Sequence, residues 1–207
     1  MKTPARKAPA ATRANVAKAN VALVVSRWNR EITDVLAAGA ERTARDAGMT
    51  VERFGVAGSF ELPAAVGILA ETGRFDAVVP IGCLIRGETP HFDVLSRAVA
   101  TGLMELSLTY PCAIPFGILT CDTFEQARQR AGGSHGNKGE EAMEAAFDLL
   151  ALRTAFPRRS SSRPSKLGLS SSLAAHTAAA EAPSARKDAT ARAGSARAKR
   201  RRSPGKA

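Results

Sequence analysis

Residues 20–56 read NVALVVSRWNREITDVLAAGAERTARDAGMTVERFGV. The stretch opens on a short aliphatic run, Asn20–Ser26, passes through a helical pattern over Ile32–Gly48, and closes on a second run, Thr50–Val56. A continuous apolar run this short, rich in Val and Leu, suits a strand covered on both faces, which is the environment of a parallel strand. Working outward, the alternation repeats. Ala77–Ile81 and Cys112–Leu119 are two further candidate strands, and helical patterns cover Leu62–Thr72, Pro90–Thr109 and Lys138–Ala155, with a shorter one near Thr123–Arg130. Strand and helix in alternation imply an α/β fold: a three-layer α/β/α sandwich around a four-stranded parallel sheet with right-handed crossovers.

Charge separates this core from its ends. Residues 1–20 carry five Lys or Arg and no acid, and residues 154–207 carry thirteen against only Glu181 and Asp188. The stretch between them is mildly acidic, so the formal charge of +11 belongs to the ends. Both ends are rich in Ala, Ser, Pro, Lys and Arg and nearly free of aromatic residues, too poor in apolar surface to offset the cost of ordering the chain. Residues 1–19 and 156–207 are therefore read as disordered basic tails flanking one domain over 20–155. No run approaches the roughly 20 apolar residues of a membrane span, and the N-terminus lacks the apolar segment of a secretory signal, which points to the cytoplasm. Cys83, Cys112 and Cys121 are widely spaced in aliphatic surroundings, as buried thiols in a reducing compartment would be. Neither CxxC nor HxxxH spacing supports a metal, and neither GxGxxG nor GxxxxGK[ST] supports a nucleotide-phosphate loop.

In an open parallel sheet the ligand crevice lies beyond the carboxyl ends of the strands, so the loops leaving each strand are where chemistry is sought. They read Arg27-Trp28-Asn29, Ala57 through Glu61, Gly82 through His91, and Phe116 to Asp122. Thr89 is a good N-cap and Pro90 a good first helical residue, so this loop delivers free N–H groups to a helix N-terminus, where phosphate or carboxylate binds. His91 falls in the first turn, either as a proton-transfer group beside a bound anion or as a histidine packed at a helix start. Trp28 offers a face for stacking a heterocycle or is a core aromatic. The Glu61 carboxylate can accept from ligand hydroxyls or stabilise the helix it precedes. Arg130 and Lys138 bracket the Gly-rich loop Ala131–Asn137, as an anion clamp or as solvated charges.

Five segments, in order, resemble the lumazine synthase family over nearly all of residues 20–153: Ser26-Arg27-Trp28-Asn29; Val56 through Pro63 (VAGSFELP); Gly82 through Phe92 (GCLIRGETPHF); Pro115 through Thr120 (PFGILT); and Glu125-Gln126-Ala127 with Arg130-Ala131-Gly132 and Gly136 through Gly139. The resemblance implies a transferase of riboflavin biosynthesis. It would condense 5-amino-6-(D-ribitylamino)uracil with 3,4-dihydroxy-2-butanone 4-phosphate to 6,7-dimethyl-8-ribityllumazine, phosphate and water, without metal or organic cofactor. By position it implies that Trp28 stacks on the pyrimidine, that Ser59, Phe60 and Glu61 hold the ring and ribityl chain, and that Cys83, Leu84 and Ile85 frame the ring through their main chain. Glu88 and Thr89 with Arg130 would hold the phosphate, His91 would transfer protons, Phe116 would reach the pyrimidine from a neighbouring subunit, and Lys138 would line the same pocket. Glu88 and the pair Ser134-His135 depart from the commonest family wording.

The resemblance further implies a homo-oligomer, a pentamer or a 60-subunit icosahedral shell of pentamers, the short loop Gly132–Asn137 favouring the shell. It also implies an association with riboflavin synthase. Val16–Val21 is read as a segment that adds a strand to a neighbour's sheet. Two other readings have a basis in the sequence: a homologue that binds a lumazine or flavin without turning it over, and an oligomeric scaffold whose basic tails, ending near Lys199-Arg200-Arg201-Arg202, attract nucleic acid by counterion release without sequence specificity.

Overall fold

The computed structural model describes residues 16–157. The two expected basic tails lie outside the described residues apart from their innermost positions. The chain runs β1 (Asn20–Ser26), α1 (Arg30–Asp46), β2 (Thr50–Val56), a 3₁₀ turn (Ser59–Glu61), α2 (Leu62–Glu71), β3 (Ala77–Ile85) and α3 (His91–Thr109). It continues through β4 (Gly117–Cys121), α4 (Phe124–Arg130), the short strands β5 (Ala131–Gly133) and β6 (Gly136–Asn137), and α5 (Lys138–Ala155). β1 to β4 form one parallel sheet in the order β2-β1-β3-β4, the expected α/β architecture.

Side-chain alternation along β1 builds both sides of the core at once. Val21, Leu23 and Val25 enter a cluster with Ile32 and Leu36 of α1 and Met143 and Phe147 of α5. Ala22 and Val24 enter the opposite cluster with Leu62 and Val66 of α2 and Val99 and Leu103 of α3. The layer of α1 and α5 is drawn close at one point. Asn137 accepts from the N–H groups of Gly139 and Glu140 at 2.8 and 3.3 Å, capping α5, and donates its amide to the Val35 carbonyl of α1 at 3.0 Å. At Gly139 the α1 backbone comes so near that a Cβ would collide with the Leu36 carbonyl.

Four departures from the sequence reading have physical causes. The third strand does not end at Ile81: Gly82–Ile85, read as the start of a loop, continue β3 because β4 pairs with it from Ile81 to Ile85. The second strand is not covered on both faces: β2 is the outermost strand, and Glu52, Arg53 and Gly55 are exposed. The fourth strand starts at Gly117 rather than Cys112. Val78 of β3 donates to the Ala113 carbonyl at 2.8 Å, but two residues further on, facing the same way, Pro80 has no N–H to give, and regular pairing resumes only at Ile81 and Gly117. The Gly-rich segment 131–137 is a small antiparallel ribbon rather than a bare loop, fastened to α4 by Gln129, which accepts from Ser134 N through its side chain and from His135 N through its carbonyl, both at 2.9 Å. At the N-terminal end Val16 is buried in this chain's own core, and Asn20 and Val21 belong to β1, so both ends of the segment Val16–Val21 are built into its own chain.

Two tests follow from the packing. Gly139→Ala pushes α5 away from α1 and lowers stability by about 1–3 kcal/mol, read as a shifted denaturation midpoint with the native circular dichroism of the refolded protein retained. Cys83, Cys112 and Cys121 are buried, free thiols. Burial pushes the Cys83 thiol up to about 12, with the Cys121 sulfur a smaller contributor, and raises Cys112 and Cys121 as well. A disulfide reagent at neutral pH therefore titrates none of the three in the folded protein and all of them in denaturant.

Candidate functional site

The sheet order places the topological switch between β1 and β3: the chain leaves β1 towards β2 on one side, and β3 returns on the other. A crevice opens beyond the carboxyl ends of these two strands, and there lies a cavity of about 570 Å³. Trp28, Ser59, Phe60, Glu61, Cys83, Leu84, Ile85, Thr89 and His91 line it, which brings nine of the sequence candidates together.

Trp28 is not a core aromatic. It is 69% exposed, as Phe60 is 59% exposed, and both present flat apolar surface to the cavity. The loop that carries Trp28 is set by its backbone: Arg27 and Trp28 donate to the carbonyls of Val56 and Ala57, and Asn29 sits in the left-handed region at φ 55°. From there the Asn29 side chain donates to the Cys83 carbonyl at 2.9 Å, locking the exit of β1 to β3. Opposite, the 3₁₀ turn holding Ser59, Phe60 and Glu61 is closed by Glu61, whose Oε2 accepts from the Gly58 N–H at 2.8 Å. Glu61 thus serves as a cap while its side chain lines the cavity. The turn approaches β3 closely because residue 82 is glycine: a Cβ there would lie 2.7 Å from the Ser59 hydroxyl. Ser26 Oγ and Ser59 Oγ are buried hydroxyls without a hydrogen-bond partner among the described residues.

The rim over Gly87–Pro90 leads into α3, whose first residue is His91 rather than Pro90. Thr89 Oγ1 accepts from His91 N at 3.4 Å, a long bond, and Pro90 takes the capping position. Glu88 is exposed and lines none of the cavities described. The rim is tied down by Arg86, which sequence reasoning passed over. Its Nη1 and Nη2 donate to both Asp93 oxygens at 2.9 and 3.1 Å, and its Nε to Asp122 at 2.8 Å. Its guanidinium also stands 4.3 Å from the centre of the Phe92 ring, a cavity wall. Hydrogen bonds from Arg86 hold the Asp93 carboxyl below the usual range. The signal available in sequence was the seven-residue separation of Arg86 and Asp93 across a helix start, which does not reveal the third partner, Asp122, just past the end of β4. Asn29, Phe92 and Leu95 are likewise cavity walls that were not singled out as site residues.

Phe116, Arg130 and Lys138 lie elsewhere. They line a separate groove of about 390 Å³ along β4 and α5, at the outer edge of the sheet. Phe116 is 50% exposed. Arg130 Nη1 donates to the Gln126 carbonyl at 3.0 Å, and Lys138 Nζ is paired with Glu141 at 2.6 Å. Within one chain, therefore, the two cations do not reach Thr89 or His91. Among the described residues no group of His, Cys, Asp and Glu side chains is arranged to hold a metal ion, and no helix is long and apolar enough to cross a membrane.

Comparison with known proteins gives the family. The family model for 6,7-dimethyl-8-ribityllumazine synthase matches residues 18–154. Proteins bearing that name from Frankia casuarinae and Micrococcus luteus are each 48% identical, over 149 and 139 residues; the matches cover 70% and 66% of this chain and 92% and 87% of theirs. One from Parabacteroides distasonis is 44% identical over 134 residues, covering 63% of this chain and 84% of its own. With the family model spanning well over half its length, the chain belongs to the 6,7-dimethyl-8-ribityllumazine synthase family.

Proposed function

We propose that the chain is a transferase of riboflavin biosynthesis that condenses 5-amino-6-(D-ribitylamino)uracil with 3,4-dihydroxy-2-butanone 4-phosphate, and that it does so between two copies of itself. The observation that carries this reading is the division of the site. The cavity has aromatic walls, a carboxylate and a histidine at a helix N-terminus but no unengaged cation, while the groove with Arg130 and Lys138 faces outward at the far edge of the sheet. One copy's cavity set against another copy's groove completes a site with both a heterocycle pocket and an anion clamp.

In that site Trp28 and Phe60 stack on and flank the pyrimidine, the main chain of Cys83, Leu84 and Ile85 reads its polar edge, and Ser59 and Glu61 hold the ring and ribityl hydroxyls. Thr89 and the N-terminus of α3 receive the phosphate, with Arg130 and Lys138 of the adjoining copy neutralising it and Phe116 closing the pyrimidine side. Glu88 contributes through its main chain alone. The 5-amino group attacks the ketone and water leaves to give an imine. Removal of the proton from the adjacent hydroxyl-bearing carbon expels phosphate from the carbon beyond it, leaving an enol that becomes a ketone with a new methyl group, and the ribityl-bearing nitrogen closes on that carbonyl with loss of a second water. His91 carries protons between these steps. Both partners are reactive once aligned, so positioning supplies most of the acceleration.

Assembly is supported by surface composition. Val94, Met104 and Leu108 are exposed on one face of α3, apolar area that a second copy would cover. The family reading makes the assembly a pentamer, and the short 131–137 ribbon favours closure of pentamers into a 60-subunit shell able to associate with riboflavin synthase. A cytoplasmic location fits the buried free thiols. The basic tails would add salt-dependent attraction to nucleic acid; removing the residues after Arg153 abolishes that attraction and spares synthesis.

Mixing the purified protein with the two substrates yields the fluorescent lumazine. Arg130→Ala lowers kcat/KM by on the order of 100-fold through the butanone phosphate, whereas His91→Ala keeps measurable turnover, reduced by about 100-fold or less. A folded, assembled wild type that binds product but makes none would make the chain a lumazine-binding homologue.

A further inference from the structure

A second cleft, of about 370 Å³, lies on the other side of the β1–α1 loop from the cavity above. Its walls carry Arg27, Arg30 and Arg53 and one carboxylate, Asp34; its floor at Gly55 is bare backbone. Arg27 Nη1 donates to the Gly55 carbonyl at 3.3 Å and has no carboxylate partner among the described residues. Arg30 and Arg53 share Asp34, the former at 2.9 Å. Glu41, 3.8 Å from Arg53, is engaged by Arg45 at 2.7 Å. Three guanidiniums against one carboxylate leave the cleft with surplus positive charge. The amino end of α1 adds to it: Asn29, in the left-handed region, makes no side-chain cap there, and while the Ile32 and Thr33 N–H groups donate to the Asn29 carbonyl, those of Arg30 and Glu31 have no partner among the described residues.

We infer that this cleft is a second oxyanion site, taking a phosphate-class dianion distinct from the phosphate of the reaction. Guanidinium groups match phosphate oxygens in pairs, and an uncapped helix N-terminus supplies further donors. The site is coupled to the first through one peptide: Arg27 faces the cleft and Trp28 the cavity. An anion that fixes Arg27 thereby steadies the aromatic wall on which the heterocycle stacks. Arg27, Arg30, Asp34 and Arg53, which form the cleft, have no part in the proposed condensation, so anion binding there stands or falls apart from it.

The test uses the full-length, assembled protein carrying Arg130→Gln, which weakens phosphate binding in the groove. Calorimetric titration with inorganic phosphate at fixed ionic strength should still show binding, and adding Arg27→Gln with Arg53→Gln should weaken it about tenfold or more. Arg30→Gln, at an exposed side chain, provides an independent variant if the pair disturbs folding. Comparing phosphate with glycerol phosphate separates a free ion from a phosphate monoester as the occupant; binding of either supports the site. Crystals soaked in tungstate should show the metal between Arg27 and Arg53. Phosphate binding unchanged by the cleft substitutions, or tungstate absent from the cleft, overturns the inference and leaves the arginines as contacts for another copy's carboxylates.

Discussion

The constraint on which the rest depends is the pairing of β1 with β3 at the centre of a sheet buried on both faces. Because Val21, Leu23 and Val25 serve one core and Ala22 and Val24 the other, neither layer of helices forms without this strand. Because the chain leaves β1 for β2 and comes back through β3, the polypeptide diverges at their carboxyl ends and cannot fill the space between. The cavity is thus a consequence of connectivity, and the Asn29 bond to the Cys83 carbonyl fixes its width at the point of divergence.

Around that opening the structure is fastened by a few polar ties, most of them joining segments remote in sequence. Arg86 links the end of β3, the first turn of α3 and the end of β4. Asn137 links α5 to α1, and Glu61 closes its own turn. The Arg86 pairs are largely exposed, so in an isolated chain their energetic worth is small. Their effect is geometric: they hold His91, Phe92 and Thr89 on one side of the strand ends while β4 carries Arg130 and Lys138 away on the other.

That divergence accounts for the division of the site. The groove of Phe116, Arg130 and Lys138 opens on the outer edge, where one chain alone cannot use it with His91. The apolar face of α3 is exposed in the same single chain. A fold that leaves both a cationic edge and an apolar helix face uncovered is suited to burying both against copies of itself, and the proposed chemistry would then be inseparable from assembly.

Much of this was legible in the sequence. Local composition determined the strand β1, the first half of β3 and the helices α1, α2 and α3, because their apolar periodicity is set by covalent geometry and burial alone, while the second half of β3 is a strand only through its pairing with β4; the motifs determined which loops matter, and Trp28, Ser59, Glu61 and His91 do meet. What only the tertiary structure decided depends on partners distant along the chain. The exposure of β2 follows from its place at the sheet edge, which its own residues do not encode. The late start of β4 follows from the missing N–H of Pro80 on the neighbouring strand. The roles of Arg86 and Asn29 rest on Asp122 and Cys83, which the fold brings near and the sequence holds apart. Likewise Arg27, Arg30 and Arg53 read as scattered surface charges until β2 is laid beside β1. Periodicity reports how one segment meets its surroundings, whereas long-range hydrogen bonds and charge clusters exist only once the order of the strands is set.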